Sequence, residues 1–427
     1  MGGVPIEIIR DIWELYGVRS NPFSSAPILV KGGIIPLECF IGRHEQIKQL
    51  GKIFGSKGGS RTLVYGDVGV GKTSFVNVVR RYAIEKGYFT PFKEIAIQSD
   101  WNSDVFILNT LAGIFATLKV SKPGSIGDET YSKLESITDV GFSDTNLGLQ
   151  IAGFGVSHGK DRKTTSHITS FSLTEFFMQV CQEIGERTGH DIIIHYNNTE
   201  LLSEDNIRDL FENLRDFFQT EGVHFVFVGN LTVKTYFNSI PRFSSIMTDV
   251  PIIIEVFTLE EVNELIKKRF EAMRIEDLDY VIPFTNDCLK ILFDLWGGNI
   301  RHILNSLSTA VQEVTEEKPV VLDDNTLART LKLVLEKRYS SKKITPRAKD
   351  VLMEIVRREE ITNKSLSDLL DLPRSNISGY IKDLEESGYV YLRRKTGKDK
   401  FWSADPILKW SLLKEKNTIQ KSIQSFY

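Results

Sequence analysis

The sequence predicts an α/β protein: a parallel sheet flanked by helices, followed by a helical lid and a C-terminal winged helix-turn-helix. Three observations carry this. Short apolar runs alternate with helical patterns through residues 36–255, the order that builds a parallel sheet. The string Gly66-Asp-Val-Gly-Val-Gly71-Lys72-Thr73 joins one such run to a helix. Near the C-terminus, three helical stretches precede two alternating strands about Thr396-Gly397-Lys398.

The buried strands are expected at Thr62–Tyr65, Glu94–Ile97, Asp191–Tyr196, His224–Val228 and Ile252–Val256. A chain of 427 residues exceeds one ordinary domain, so two or three are expected. Residues 1–35 read as a lead-in with a short amphipathic helix (Ile6, Ile9, Ile12, Trp13, Leu15). Residues 36–256 form the α/β domain, 257–340 a small helical domain and 341–427 the winged helix. Residues 120–170, rich in Gly, Ser, Thr and Asp, break the pattern. Within them Leu147–Ser157 partly alternates and reads as a β-hairpin insertion, with no role assigned.

Composition narrows the classes. Hydrophobic residues make 41% and charged residues 26% of the chain, a globular rather than a disordered balance. No apolar run reaches the ~18–20 residues of a membrane span, so no membrane partner is expected. The apolar start holds Glu7 and Arg10, unlike a secretory signal. Cys39, Cys181 and Cys288 lie far apart without a CxxC pair, which argues against a disulfide framework and fits a cytoplasmic chain. Residues 331–427 hold 21 Lys and Arg against 13 Asp and Glu, a net +8, while the remainder carries 32 against 43, a net −11. A basic end on an acidic body suggests a localised polyanion contact.

The glycine-rich string matches GxxxxGK[ST] in its required place, after a strand and before a helix. Glycines let backbone N–H groups wrap phosphates, and the following helix N-terminus adds a favourable dipole. Gly66, Asp67, Val68, Gly69, Val70, Gly71, Lys72, Thr73 and Ser74 are therefore expected to bind ATP or ADP. Lys72 supplies a charge for the β/γ oxygens, and the Thr73 hydroxyl is a ligand for Mg²⁺.

Such a loop works with an acid at the end of a neighbouring strand. After the strand ending at Tyr196 the chain has Asn197-Asn198-Thr199-Glu200. A carboxamide accepts a hydrogen bond from metal-bound water but cannot act as a general base. Either Glu200 substitutes, or hydrolysis is slow and nucleotide binding acts as a lasting switch. The next strand ends at Gly229-Asn230, where Asn230 can position an attacking water; the plainer reading is a turn asparagine.

With these elements in order, residues 36–340 resemble the AAA+ ATPases, within them the replication-initiator (origin-recognition) type and related archaeal-type ATPases. Phe40-Ile41-Gly42-Arg43 looks like the family's F-x-G-R element near the adenine, and Gly66–Thr73 like its Walker A motif. Asn197-Asn198 stands where the family carries the Walker B Asp-Glu, and Asn230 at the sensor 1 position. The resemblance implies that Arg242, in Pro241-Arg242-Phe243, is an arginine finger for a neighbour's nucleotide. It implies that Arg301, after Gly297-Gly298-Asn299-Ile300, is the sensor 2 arginine. A finger supplied in trans implies a homo-oligomer or other AAA+ subunits.

The C-terminal unit reads as helices Pro346–Arg358, Thr362–Leu370 and Ser375–Ser387, the last capped by Ser375 and stopped by Gly388. Strands Tyr389–Lys395 and Asp399–Ser403 follow. The third helix would enter a major groove of duplex DNA with Arg374, Ser375, Asn376, Ser378 and Lys382. Arg393, Arg394, Lys395, Lys398 and Lys400 in the hairpin would meet phosphate. About five such contacts give a log–log salt slope of roughly −4 to −5. The alternative is a protein-docking winged helix, with Glu385-Glu386 at the far end of the reading helix.

Two functions follow. One is an initiator-like protein whose ATP state controls duplex DNA binding or assembly, nucleoid-associated when bound to DNA. The other is a STAND-type signalling or defence NTPase that uses the winged helix for protein contacts. A strong motor ATPase is opposed by the missing Walker B acids.

Overall fold

The computed structural model describes residues 11–121, 123–143, 170–247, 250–339, 344–358, 360–396, 399–410 and 412. The chain divides into two units: residues 24–273, and residues 1–23 with 274–427.

The first unit is built on a parallel sheet of five strands: β1 Ser60–Tyr65, β2 Ile95–Ala96, β3 Ile192–Asn197, β4 Val223–Gly229 and β5 Ile252–Ile253. The spatial order is β2-β3-β4-β1-β5. β4 pairs in register with β1 on one side (Tyr65 opposite Gly229) and with β3 on the other (Tyr196 opposite Phe227). The tip of β4 therefore stands between the phosphate loop and the end of β3. The two edge strands are shorter than the sequence predicts, two residues each.

Alternation within the strands separates two cores. One face buries Val64, Ile193, Val226 and Val228 against α1 (His44–Gly55) and α2 (Lys72–Glu85). The other carries Leu63, Ile194, Tyr196, Phe225 and Phe227 into an aromatic-rich core. That core is closed by α3 (Ser103–Ser121), α4 (Asp128–Ser143), α5 (Ser170–Thr188), α6 (Glu204–Asn213) and α7 (Arg215–Phe218). By length and composition α3 is also apolar enough to cross a membrane, although its apolar residues do not form one unbroken run. Its apolar window is 61% buried inside the protein, as a core helix requires. The predicted insertion thus begins as helix, α4, while Leu147–Ser157 lies outside the described residues. Helices α8 (Leu231–Ser239), α9 (Pro241–Ser244) and α10 (Leu259–Met273) complete this unit.

In the second unit the segment Ile12–Tyr16 is a 3-10 turn, capped by Asp11 and ended by Gly17 in the left-handed region. The rest of the expected lead-in helix, Ile6 and Ile9 included, lies outside the described residues. Residues 11–23 are integral to this unit. The Tyr16 hydroxyl is 2.6 Å from Thr315 Oγ1 and accepts from the Val320 N–H at 3.0 Å. Asn21 Nδ2 donates to Ser308 Oγ at 2.9 Å. Helices α11 (Asn286–Trp296), α12 (Ile300–Val314) and α13 (Asp324–Tyr339) follow.

The winged helix comprises α14 (Pro346–Val356), α15 (Asn363–Leu370) and α16 (Arg374–Glu386), with β6 (Ile361–Thr362), β7 (Val390–Thr396) and β8 (Asp399–Ala404). β6, absent from the sequence reading, pairs antiparallel with β8 to make a three-stranded sheet of order β6-β8-β7. The cap of α16 is Pro373, without a side-chain cap bond, and Ser375 lies inside the first turn. This corrects the predicted Ser375 cap: Pro373, at φ −56° and ψ 140°, stands just outside the helix, and its carbonyl accepts the first helical bond from the Ile377 N–H at 3.1 Å.

Candidate functional site

The glycine-rich loop Gly66–Thr73 is held from behind and from the side. Val70 is buried in the α1–α2 core. Gly66 has φ 157°, and a Cβ there would lie 2.1 Å from the Ile254 carbonyl oxygen, so no side chain fits where β1 passes β5. Gly71, at φ 92°, is the N-cap of α2, leaving the first N–H groups of that helix directed at the loop. Lys72 is 7% exposed. Its ammonium donates to the carbonyls of Gly66 at 2.9 Å and Asp67 at 2.7 Å, which holds the charge within the loop's curve. Asp67 and Val68 are exposed on the rim, and Gly69 is half-buried. Ser74 faces away: its hydroxyl accepts from the Ile28 N–H at 3.1 Å.

Arg43 ties this loop to the end of the sheet. Its Nη2 donates to the carbonyls of Val70 and Glu255, each at 2.9 Å, and its guanidinium lies 4.3 Å from the Phe257 ring centre. Burial lowers its pKa to about 10, so it stays cationic. Gly42 and Arg43 both have positive φ, 61° and 57°. Ile41 is buried and Phe40 half-buried against the α1–α2 core. The Phe40–Arg43 element thus braces the loop through Arg43.

At the end of β3 the Thr73 hydroxyl donates to Asn197 Oδ1 at 3.3 Å. Asn197 is fixed by the sheet ladder, its carbonyl accepting from the Ile97 N–H at 2.9 Å. Asn198 follows at φ 61°, ψ 31°, as N-cap of a 3-10 turn over Thr199–Leu201. Asparagine is among the few non-glycine residues that enter this left-handed region readily, so the backbone itself favours Asn there. Glu200 lies on that turn, and its Oε2 is buried with no hydrogen-bond partner among the described residues. Asn230 caps α8, its Oδ1 accepting from the Val233 N–H at 3.2 Å. The turn reading therefore describes its oxygen, while its Nδ2 makes no hydrogen bond among the described residues.

A magnesium site is built from oxygen, with anionic ligands to offset the charge. Between the loop and the end of β3 the described residues offer one hydroxyl, Thr73, and one neutral carboxamide, Asn197, joined to each other, with the Glu200 carboxylate on the following turn rather than at the strand end. This donor set does not fit a metal held by an acid of the chain.

Behind the Thr73–Asn197 pair lies a polar seam that sequence reasoning missed. Thr73, Asn77 and Arg80 share one face of α2, and His195 and Asn197 one face of β3. Arg80 is fully buried; it donates to Asn77 Oδ1 at 2.8 Å, to Thr90 Oγ1 at 2.9 Å and to the Pro91 carbonyl. His195 Nδ1 lies 3.2 Å from both Arg80 Nη1 and Asn77 Oδ1, accepting from one or donating to the other according to its tautomer. Burial, then the Arg80 charge, pushes the His195 pKa well below its ordinary value, so the ring is neutral. The available signal was the coincidence of periods: every third or fourth residue of α2 against every second residue of β3.

Arg242 is exposed on α9, whose neighbour Phe243 is buried in the aromatic core 4.5 Å from the Phe211 ring. Arg301 is exposed in the first turn of α12 in the other unit. Gly297 and Gly298 have positive φ there, and Asn299 caps the helix with its oxygen to the His302 N–H.

On the winged helix, Arg374, Ser375, Asn376, Ser378 and Lys382 are all exposed on α16, while Ile377, Ile381 and Leu384 are buried. Ser378 accepts from Asn363 Nδ2 at 3.1 Å and donates to the Arg374 carbonyl. Lys382 lies 3.8 Å from Glu386. In the hairpin Arg393 and Lys400 are exposed. Thr396 pairs with Asp399, the last described pair of the hairpin. The register shifts between Leu392 and Arg394, placing Arg393 as the extra residue of a bulge. Only the backbone of Arg394 and Lys395 is described, and Lys398 lies outside the described residues.

Residues 342–400 match the model of the MarR family. No curated protein matches the chain. Among solved structures it is similar to the Aeropyrum pernix ORC1 protein in complex with DNA: 15% identity, 94% of this chain and 98% of that one covered, TM-score 0.44. It is similar to Cdc6p from Pyrobaculum aerophilum at 16% identity, 95% and 99% coverage and TM-score 0.45. It is similar to the Aeropyrum pernix ORC2 protein, solved as ADPNP–ADP complexes, at 13% identity, 95% and 98% coverage and TM-score 0.47. At such identities and TM-scores the α/β fold stands on the strand order and the phosphate loop, and the winged helix on its own elements.

Proposed function

We propose that this chain is a nucleotide-switched, initiator-like DNA-binding protein of the cytoplasm, associated with the nucleoid when bound to DNA. ATP or ADP occupies the loop around Lys72, with backbone N–H groups and the α2 N-terminus facing the phosphates. The winged helix lays α16 against duplex DNA and the β7–β8 hairpin against phosphate. Nucleotide state sets DNA affinity or assembly with further copies or other AAA+ subunits, to which Arg242 offers an exposed cation on a buried anchor. Arg301 is the cation of the lid.

The observation that carries this reading is the pairing, in one chain, of a formed phosphate loop that holds Lys72 with an exposed, charged helix and hairpin. Turnover is expected to be slow, because Asn197 and Asn198 cannot take a proton from water. Glu200 is the one acid of this turn left to do so.

Fluorescence anisotropy of labelled duplex DNA with ATP, with ADP and without nucleotide, at two salt concentrations, tests the proposal. Salt-sensitive binding that changes with nucleotide is the expected result. No duplex binding in any state overturns it and favours a signalling NTPase with a protein-docking winged helix.

A further inference from the structure

We infer that this site takes its nucleotide with little dependence on Mg²⁺, accepting free ATP or ADP about as well as the magnesium complex. The inference rests on the nucleotide reading above and concerns what the chain contributes toward the metal.

The first observation is the Thr73–Asn197 hydrogen bond at 3.3 Å. It places Asn197 where an acid would supply the metal with a full negative charge. A neutral carboxamide acts on both ligands at once. It withdraws attraction from a divalent cation, and it withdraws repulsion from the uncompensated charge of a free polyphosphate. Both changes lower the gain from adding magnesium, and each is a full unit-charge interaction at close range.

The second observation is the backbone at Asn198. Its left-handed conformation at the cap of the Thr199–Leu201 turn suits asparagine. A glutamate would adopt this backbone less readily than asparagine does, and asparagine adds no negative charge next to Asn197.

The third is the cation balance of the seam. Lys72 stands in the loop, and Arg80 lies two turns further along the same helix, fully buried. Its contacts are all neutral: Asn77, Thr90, Pro91 and His195. The nearest acid of the seam, Glu94, reaches Asn77 Nδ2 at 3.5 Å. Burial lowers the Arg80 pKa to about 10 while the Glu94 charge raises it, so the guanidinium stays charged at neutral pH and Glu94 offsets part of its field. Buried positive charge behind the loop favours the more negative, metal-free nucleotide.

Isothermal titration calorimetry of the full chain with ATP, in excess MgCl₂ and in excess EDTA, decides the matter. The two dissociation constants of the wild type should agree within about threefold, and Asn197→Asp should weaken binding in EDTA roughly tenfold relative to MgCl₂. A wild-type loss beyond about tenfold in EDTA overturns the inference while the nucleotide reading stands. In that case loss of the magnesium preference in Glu200→Gln would identify Glu200 as the counter-charge. Absence of binding in both conditions overturns the nucleotide reading and this inference with it. The wild-type comparison and Glu200→Gln decide the question even where Asn197→Asp fails to fold.

Discussion

Asn197 and Asn198 differ in what holds them. Asn197 is set by the strand ladder and bonded to Thr73; Asn198 is set by its own left-handed backbone. Restoring both acids is thus not one experiment repeated, since the second substitution adds strain and the first does not. Lys72 is the residue whose loss is simplest to read, because its ammonium sits inside the loop on two carbonyls. Lys72→Ala should weaken ATP binding by about 3 kcal/mol, roughly a hundredfold in Kd. Calorimetry checks it, and unchanged affinity would refute the phosphate site. The resemblance puts the Phe40–Arg43 element near the adenine, and the three contacts of Arg43 brace the loop against the segment after β5.

At the scale of elements, α2 and β3 meet through polar rather than apolar side chains along one line. Such a buried seam is costly unless satisfied, and it fixes the register of the helix that carries the loop. His195 gives this a measurable sign. Its folded pKa lies well below the ordinary 6.5, so the unfolded chain takes up a proton first as pH falls. Stability from this group is fully present above about pH 6.5 and declines below it, by at most about 1.4 kcal/mol per pH unit. Urea denaturation at pH 7.5 and pH 5 should show a smaller loss for His195→Gln than for the wild type; equal losses would show that His195 is not the group responsible. In the winged helix, the bulge at Arg393 increases local twist where the hairpin leaves the sheet.

At the scale of the whole molecule, charge is divided: residues 331–427 carry a net +8 and the remainder −11. If the basic end meets DNA phosphate, the charge reversal Arg393→Glu with Lys400→Glu should weaken duplex binding across sequences. It should also lower the magnitude of the log–log salt slope by about 2. Anisotropy titrations at several salt concentrations measure both, and an unchanged slope would remove the hairpin from the interface. Neither residue is buried, so folding should be preserved.

The sequence by itself determined the glycine-rich loop between strand and helix, the strand–helix alternation, the acid-free end of β3 and the three helices with a hairpin. Each is written in contiguous residues, where glycine spacing, apolar period and charge are local properties. The tertiary structure decided what depends on neighbours distant in sequence. It put β4 between β1 and β3, so that Asn230 follows a strand whose tip lies between the ends of those two. It added β6 to the winged helix, a two-residue strand too short to leave a period. It joined residues 11–23 to a unit that resumes at 274. It also set Asn77 and Arg80 against His195, more than a hundred residues away. No local pattern records that pairing, because a buried polar side chain declares its partner only when two elements pack.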